Sequence, residues 1–505
     1  AENTLEGRTE GMRIKGRTLN NLFGAPYTYN MNTLSTRIFR TTLTQGKMTK
    51  GDYTLIFKTK FNKDAGGTFG LRIHYDIDSN TSGGYRTVSK VNGINVVKIN
   101  IPTDIISFLF YIESSDVKNG LSCEISDLMI LEGDHEYMNF FEGMKSVGEA
   151  EQEGDKYKIS ILSYTGNLLD IDLSSPNVED GVYYHYVSGA KVANNDVFTS
   201  SIKLQANTRY SLFNINRHVS YWVGSEFKGS VKNNFIDNVF TTQVSPPYDC
   251  TLKVTVFKAN KKSAYCTLGN NKLTPWQQYK KTNKKDFLIN EPLRGVDDVQ
   301  DIMFEEESKV KIARYIDDYT FTGDETMRDT TEQDEKSGTG KYKVFSLTVN
   351  KTIDINKNIN NNFPKKNFSV EFQTMDSEGL AVTQYGIYIK ILKSKLSTQG
   401  IEGFKAWLKA NTTTIYFTRV TPVTEIVENC VDIDLDTFEE KTYFNILNSL
   451  PGTLDFKVPS NIASIVQNTA REVNNIWDVI NNLLVPGLMD TKKTLALKTI
   501  KNNLK

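Results

Sequence analysis

The stretch that decides the fold runs Asp127-Leu-Met-Ile-Leu-Glu-Gly-Asp-His-Glu-Tyr-Met-Asn-Phe-Phe-Glu-Gly-Met-Lys-Ser-Val-Gly-Glu149. Its first part, Leu128–Leu131, is a short apolar run that stops at Glu132-Gly133-Asp134, which is how a β-strand reaches a turn. Aromatic residues and Gly148 follow, and a new β-rich block begins near Tyr157. The stretch therefore predicts the last strand of one β module and the hinge to the next.

Short strands separated by turn residues dominate the chain on both sides of this stretch. Tyr53–Phe61 is aromatic and β-branched, and Thr251–Phe257 alternates between apolar and polar residues. Gly-Gly and Asn-Gly pairs break up the runs, a pattern typical of β-sandwiches of the jelly-roll type. One short helix is predicted at Ile401–Ala410, because Ile401, Phe404 and Leu408 share a face.

The predicted fold is mainly β: tandem jelly-roll-like β-sandwich modules followed by a C-terminal α-helical segment. We predict these segments: 1–15, irregular; 16–133, first β-sandwich, of carbohydrate-binding type; 134–156, linker; 157–279, second β-sandwich; 280–341, charged connector with two short strands; 342–430, third β module; 431–459, linker; and 460–505, helical segment for oligomerisation or docking.

The amino-acid composition of the chain limits the classes of function that it can have. Lys+Arg and Asp+Glu balance at 60 each, which argues against a nucleic-acid partner because such proteins carry a basic excess. No apolar run is long enough to span a membrane, so no membrane insertion is expected. The four cysteines lie far apart without a C-x-x-C pair, which predicts free thiols and folding in a reducing cytoplasm.

The C-terminal segment carries an apolar seam. Starting from Pro459-Ser460-Asn461, a helix is predicted whose seam residues alternate in steps of four and three, as in the a and d positions of a heptad. Isoleucine at d with β-branched residues at a favours trimers over dimers. Pro486-Gly487 is expected to end the helix. The seam comprises Ile462, Val466, Thr469, Val473, Ile476, Ile480 and Leu483.

This helix needs a partner. Seven seam side chains contribute roughly 1.5–3 kcal/mol each when buried, and ordering the helix costs a similar or larger amount. The seam must therefore pack either against copies of itself, which we favour, or against one of the β modules. Apolar e positions such as Trp477 and Leu484 widen the stripe and suit both arrangements.

No catalytic pattern stands out in the sequence. The four histidines are scattered without metal-ligand spacing, and neither a P-loop nor a G-x-S-x-G motif is present. Acidic pairs such as Asp297-Asp298 and Asp317-Asp318 resemble the two carboxylates of glycosidases, but they lie in polar sequence that is typical of solvated acids. We therefore expect a non-enzymatic protein without a metal or cofactor.

Aromatic residues are the more promising resource. Exposed rings on a β-sandwich can stack against sugars, so two clusters are candidate ligand-binding sites. Adjacent residues of a strand point to opposite faces, and at least one ring of each pair should therefore belong to a core. The candidate binding residues are Tyr184, Tyr186, Tyr221 and Trp222.

Three parts of the chain resemble tail and baseplate proteins of phages that infect Gram-positive bacteria, in the same order. The first resembles their junction of a carbohydrate-binding-like module with a linker, the second their connector after the second module, and the third the end of their third module. The matching residues are Asp127–Asp134 with Phe140–Gly148, Pro292–Asp301 with Arg314–Arg328, and Phe404–Asn411 with Thr414–Pro422.

The resemblance implies a multimeric virion protein of a tail fibre, baseplate or receptor-binding arm, made in the bacterial cytoplasm. Its partners would be copies of itself, other tail proteins and a host cell-wall glycan. The family supplies no defined sugar site, and the lysozyme-like or peptidase domains of some tail proteins have no counterpart here. Two alternatives stay open: a polysaccharide-cleaving tail enzyme, and a structural adaptor without glycan contact.

Overall fold

A computed structural model describes most of the chain. The exceptions are residues 24–28, 32–38, 43–49, 62–69, 77–81, 90–92, 103–106, 114–122, 136–137, 206–207, 232–238, 247, 270–271, 274–275, 461 and 504–505. The described part is mainly β, as predicted, and ends in a long helix.

The strands of the first half are β1 Glu2–Thr4, β2 Gly7–Arg8, β3 Glu10–Lys15, β4 Thr18–Asn20, β5 Tyr29–Met31, β6 Phe39–Thr42, β7 Gly51–Phe61, β8 Gly70–Asp76, β9 Ser82–Ser89, β10 Gly93–Ile101, β11 Ser107–Glu113, β12 Cys123–Glu132, β13 Met144–Ser146, β14 Gln152–Glu153, β15 Lys156–Tyr164, β16 Val178–Tyr184, β17 Lys191–Leu204, β18 Tyr210–Asn216, β19 Val219–Val223, β20 Glu226–Ser230, β21 Val239–Val244, β22 Cys250–Phe257 and β23 Tyr265–Leu268.

The remaining strands are β24 Asn283–Ile289, β25 Gly295–Val296, β26 Val299–Gln300, β27 Ile302–Glu306, β28 Lys309–Phe321, β29 Thr326–Asp329, β30 Tyr342–Thr348, β31 Asn358–Asn360, β32 Gly379–Thr383, β33 Gly386–Leu392, β34 Thr413–Ile426, β35 Asp436–Thr437, β36 Glu440–Lys441, β37 Tyr443–Ile446 and β38 Thr453–Lys457. The α-helices are α1 Thr331–Asp334, α2 Val370–Thr374, α3 Ile401–Ala410, α4 Ile462–Val479 and α5 Val485–Asn503; a π-helical turn spans Ile480–Leu484, and 3-10 helices span Lys258–Asn260 and Lys393–Lys395.

Strands from distant parts of the chain build a central body. One sheet has the order β31-β34-β28-β27-β3-β38, and a second pairs β14, β15, β24 and β37. Ile14 lies opposite both Met303 and Leu454, so the first residues of the chain form an inner strand of the larger sheet. Buried side chains of both sheets share one core, which includes Met12, Ile14, Ile159, Ile161, Phe287, Met303 and Ile312.

The second and third modules are insertions into this body. Strands β15 and β24 pair with each other, and the second module comprises the chain between them. Strands β28 and β34 also pair, with Phe321 opposite Thr413, and the third module lies between them in sequence. Both ends of each insertion are therefore fixed by sheet hydrogen bonds.

Three segments differ in local structure from the prediction. Residues 1–15, expected to be irregular, contain β1, β2 and β3, and residues 431–459, expected to be a linker, contain four strands. Residues 280–341 hold six strands and α1, and the two short strands expected around Ile312 and Tyr319 are one strand of 13 residues. Strands β1, β2 and β3 pair with β36, β35 and β38, hundreds of residues away, and no local pattern reveals such pairing. The domain limits themselves stay a prediction.

The first module contains two four-stranded sheets, β10-β7-β12-β5 and β6-β11-β8-β9. The apolar run Leu128–Leu131 lies within β12, as predicted. The connector behind it is anchored, because β13 pairs with β4 and the backbone N–H of Val147 donates to the carbonyls of Arg17 and Leu293, both at 3.2 Å.

The second module packs a five-stranded sheet, β16-β17-β22-β19-β20, against the three-stranded sheet β21-β18-β23. The third module has the sheet β29-β30-β33-β32, on which α3 packs through the stacked rings of Phe345 and Phe404, 4.3 Å apart. Helix α3 spans Ile401–Ala410, as predicted. Within this module Val370–Thr374 forms the short helix α2.

A candidate ligand-binding face and an exposed helix seam

The five-stranded sheet of the second module has two different faces. Leu252 and Val254 of the central strand β22 point into the module core with Phe198. Lys253 lies between them and points the other way, and it pairs across the strands with Ser220 of β19. The face opposite the core is called the outer face here.

Three side chains from three strands meet on the outer face. The rings of Tyr184 and Trp222 lie edge to face with centroids 5.2 Å apart. The Lys253 ammonium lies 3.5 Å from the Tyr184 ring centroid and 4.7 Å from that of Trp222. Trp222 is only 8% exposed, since Phe227 also packs on it and its indole N–H donates to Ser220 Oγ at 2.8 Å. Tyr184 is therefore the more accessible ring of this pair.

The carboxylate of Glu179 organises the charges of this face. It accepts a hydrogen bond from the Tyr184 hydroxyl at 2.8 Å and forms ion pairs with Lys191 and Lys253. Burial acts to raise its pKa, but the hydrogen bonds from Lys191 and Tyr184 outweigh burial and lower the pKa of Glu179. Burial and the neighbouring carboxylate raise the pKa of Tyr184 to about 12, so its phenol remains a hydrogen-bond donor at neutral pH.

A histidine lies at the end of the same face. The buried His218 ring is 4.3 Å from that of Tyr183 and 5.5 Å from that of Tyr186, with His185 at 5.7 Å. Burial lowers the pKa of His218 to about 4, with further contributions from Arg217 and His185, so the ring is neutral at pH 7. Arg217 Nε donates to His218 Nε2 at 3.4 Å, which assigns the ring proton to Nδ1.

The four predicted binding residues thus occupy three environments. Tyr184 and Trp222 are in contact, Tyr186 lies with the histidines at the end of the face, and Tyr221 packs against the module core on the opposite side of the sheet. Sequence reasoning missed three neighbours that complete the face: Glu179, Phe227 and Lys253.

The outer face suits an oxygen-rich ligand. Tyr184 offers a ring for stacking, while Lys191 and Lys253 offer ammonium groups to hydroxyl, carboxylate or phosphate oxygens. Glu179 is the carboxylate that balances these cations. An ammonium group carries three N–H donors, so Lys191 and Lys253 can each contact a ligand while they remain paired with Glu179.

The central body contains a cluster of three acidic residues. Carboxylate oxygens of Glu305, Asp432 and Asp434 lie within 4.8 Å of one another. Arg8 and Lys285 both contact Asp432, and Thr9 donates to Asp434 at 2.6 Å. These carboxylates therefore have cationic and hydroxyl partners from the protein itself, and we assign no metal to them.

The predicted seam residues lie on a helix that does not end at Pro486. It runs from Ile462 to Asn503 through the π-helical turn, so the predicted end is wrong. Val466, Thr469 and Val473 are exposed, Ile476 is 59% exposed and Ile480 is half-buried. The side chains of Ile462 and Leu483 lie outside the described residues.

Among the described residues, no helix is both long enough and apolar enough to cross a membrane. Comparison of the sequence with protein-family models finds no match. Comparison with curated proteins finds none either.

Proposed function

We propose that this chain is a non-enzymatic phage tail protein, a tail-fibre or baseplate component, that attaches the virion to glycans of the host cell wall. The observation that carries the proposal is the outer face of the second module, where the Tyr184 ring and two lysine ammonium groups lie together away from the core. The resemblance of three parts of the chain to tail proteins of phages that infect Gram-positive bacteria supports the same assignment.

The proposed architecture is a trimer of jelly-roll-type modules joined by a C-terminal coiled coil. Supporting it is the exposed seam of α4, whose heptad spacing and β-branched residues suit three parallel helices. In proteins most of the stability of a helix comes from packing of its apolar face, so the exposed seam calls for a partner. Three linked copies of a weak glycan site gain roughly 10²–10⁴ in avidity.

Binding to purified wall polymers tests the attachment role. The full chain is titrated onto immobilised wall polysaccharides from a panel of Gram-positive bacteria, alongside the variant Lys253→Ala and the control Lys409→Ala. Lys409 belongs to an exposed ion pair with Asp324 in the third module. We expect saturable binding to at least one polymer that Lys253→Ala weakens at least tenfold and Lys409→Ala leaves unchanged.

Two results would replace the proposal. Shortening of the polymer chains during incubation, followed by size-exclusion chromatography, would identify a polysaccharide-cleaving enzyme instead. Binding to no polymer, together with antibody labelling of the tail in electron micrographs of virions, would identify a structural adaptor.

A further inference from the structure

The π-helical turn in the C-terminal helix changes the register of its apolar seam. The backbone N–H of Val485 donates to the carbonyl of Ile480, five residues back instead of four. Such a turn adds one residue to the helix without adding a turn of its own. It lies directly before Pro486, whose missing N–H and bulky ring an ordinary α-helical turn does not accommodate.

The added residue decides where the seam continues. In an unbroken helix, the steps of four and three after Leu483 reach Gly487, Asp490 and Thr494, so the seam would end there. With one residue added, the series instead passes from Ile480 through four positions that are mostly leucine. These positions are Leu484, Leu488, Thr491 and Leu495.

We propose that this register shift extends the self-association seam past Pro486 to Leu495, and that the surface covering it is the same seam on further copies of this chain. The inference rests on the self-association in the proposed function and lengthens its interface. Leu484, Leu488 and Leu495 are all exposed, the last at 67%.

The exposure and register of the helix favour further copies of the same chain as the partner that covers the seam. From Val466 to Leu497 the described large apolar side chains are exposed or, at Ile480, half-buried, so the β modules do not cover them. A partner helix with an uninterrupted heptad repeat would lose register by one residue at the π-helical turn. A parallel second copy carries the same turn at the same level, so its knobs and holes stay matched along the whole helix.

Cysteine cross-linking of the full chain tests the register. Single variants Val473→Cys, Leu488→Cys and Leu495→Cys are oxidised and run on non-reducing gels, with Met489→Cys as the matched control. Met489 neighbours Leu488 and is exposed, but lies off the shifted seam. The unmodified chain, which carries all four native cysteines, gives the background; Cys250 and Cys266 are buried and Cys430 is half-buried. We expect all three seam variants to form covalent dimers at least tenfold above the Met489→Cys level.

The outcomes distinguish failure of the extended seam from failure of self-association itself. Cross-linking at Val473 but not at Leu488 and Leu495 means that the seam ends before Pro486; the extension is then wrong while self-association stands. Equal cross-linking of Leu488→Cys and Met489→Cys also overturns the shifted register. If no variant cross-links and light scattering gives the mass of a monomer, both the extended seam and self-association are wrong.

A second pair of variants does not depend on oxidation. The double variant Leu488→Asp/Leu495→Asp places two charges on the shifted seam, and Met489→Asp/Leu497→Asp places two off it. Light scattering across a dilution series should show the seam variant dissociating at a concentration at least tenfold higher than the control. Identical dissociation of the two variants would contradict the extended seam.

Discussion

Tyr184 shows how single side chains shape the outer face of the second module. Its hydroxyl is bonded to Glu179 and its ring lies against both Lys253 and Trp222. The ring is therefore held in one orientation before a ligand arrives, which reduces the entropy lost on binding. Because Trp222 is largely covered, stacking on this face depends on Tyr184.

Two substitutions of Tyr184 distinguish the contribution of its ring from that of its hydroxyl. Tyr184→Ala removes the ring and should weaken glycan binding by about 0.5–1.5 kcal/mol, in the range of aromatic contacts. Tyr184→Phe keeps the ring, loses the bond to Glu179, and should cost less than half of that. Titration calorimetry with a wall oligosaccharide measures both, and Tyr385→Ala, which removes a highly exposed tyrosine of the third module, is the control. Equal losses for Tyr184→Ala and Tyr184→Phe would contradict stacking.

His218 makes the stability of the second module dependent on pH. Its pKa is lowered to about 4 in the folded chain, against an ordinary value of 6.5. Unfolded chains therefore bind the proton first as the pH falls. The stabilisation is fully present above about pH 6.5, is lost progressively towards pH 4, and amounts to about 1–3 kcal/mol.

Urea unfolding between pH 7.5 and 4.5 checks this expectation. The unfolding midpoint of the wild type should fall more steeply with acidification than that of His218→Gln, which cannot take up the proton. Parallel curves for the two proteins would show that the ring is not the responsible group.

At this scale the sequence predicted part of the site. Tyr184 and Trp222 were named from their aromatic character, and the rule that adjacent strand residues point to opposite faces accounts for Tyr221 in the core. Lys253 was missed although Thr251–Phe257 alternates, because alternation gives the face of a residue without identifying the neighbouring strands. Only the pairing of β22 with β19 places Lys253 beside Trp222.

At the scale of elements, a buried ionic network joins the strands of the central body. Arg314 is almost fully buried and contacts Asp301 at 3.2 Å and Glu425 at 2.6 Å. Asp301 also accepts backbone hydrogen bonds from Arg294, Tyr315 and Ile316. The network therefore links β28 to β34, the two strands between which the third module is inserted. It also links β28 to the segment before β27.

Removing the arginine should be costly. Arg314→Leu leaves the buried Asp301 carboxylate without its cation, and we expect a loss of about 3–5 kcal/mol in the free energy of unfolding. Lys409→Ala, which breaks an exposed ion pair, should cost less than about 1 kcal/mol. Urea denaturation followed by circular dichroism measures both variants. A loss for Arg314→Leu no larger than the control's would mean that the network does not stabilise the body.

Strand β3 illustrates why elements were missed. Met12 and Ile14 are fully buried and alternate with polar residues, so a strand signal was present in Glu10–Lys15. The strand is only six residues long, however, and its partners begin nearly three hundred residues later in the chain. Helix α3, by contrast, was predicted at its observed limits because helical periodicity is local.

For the whole molecule, insertion of modules into a shared body has a mechanical consequence. A module inserted between two paired strands is joined to the body by two neighbouring strand ends. A module in a linear chain has instead one connection to the preceding module and one to the next. Leu162 and Tyr164 of β15 also belong to the buried core of the second module, so the module packs on one of the strands between which it is inserted. The sequence indicated separate β modules but not this arrangement, since strand pairing over such distances leaves no local trace.

The last prediction concerns the number of copies that bind together. The double variant Val473→Asp/Ile476→Asp charges the exposed seam of α4 and should yield a monomer by light scattering, while Asn474→Asp/Asn475→Asp adds the same charge off the seam and should leave the oligomer intact. If three copies act together on one wall surface, the monomeric variant should bind immobilised wall polymer roughly 10²–10⁴-fold more weakly. Its affinity for a short soluble oligosaccharide, measured by calorimetry, should equal that of the wild type because the outer face is untouched. A monomer that binds the immobilised polymer as tightly as the wild type would show that attachment does not depend on joining several copies.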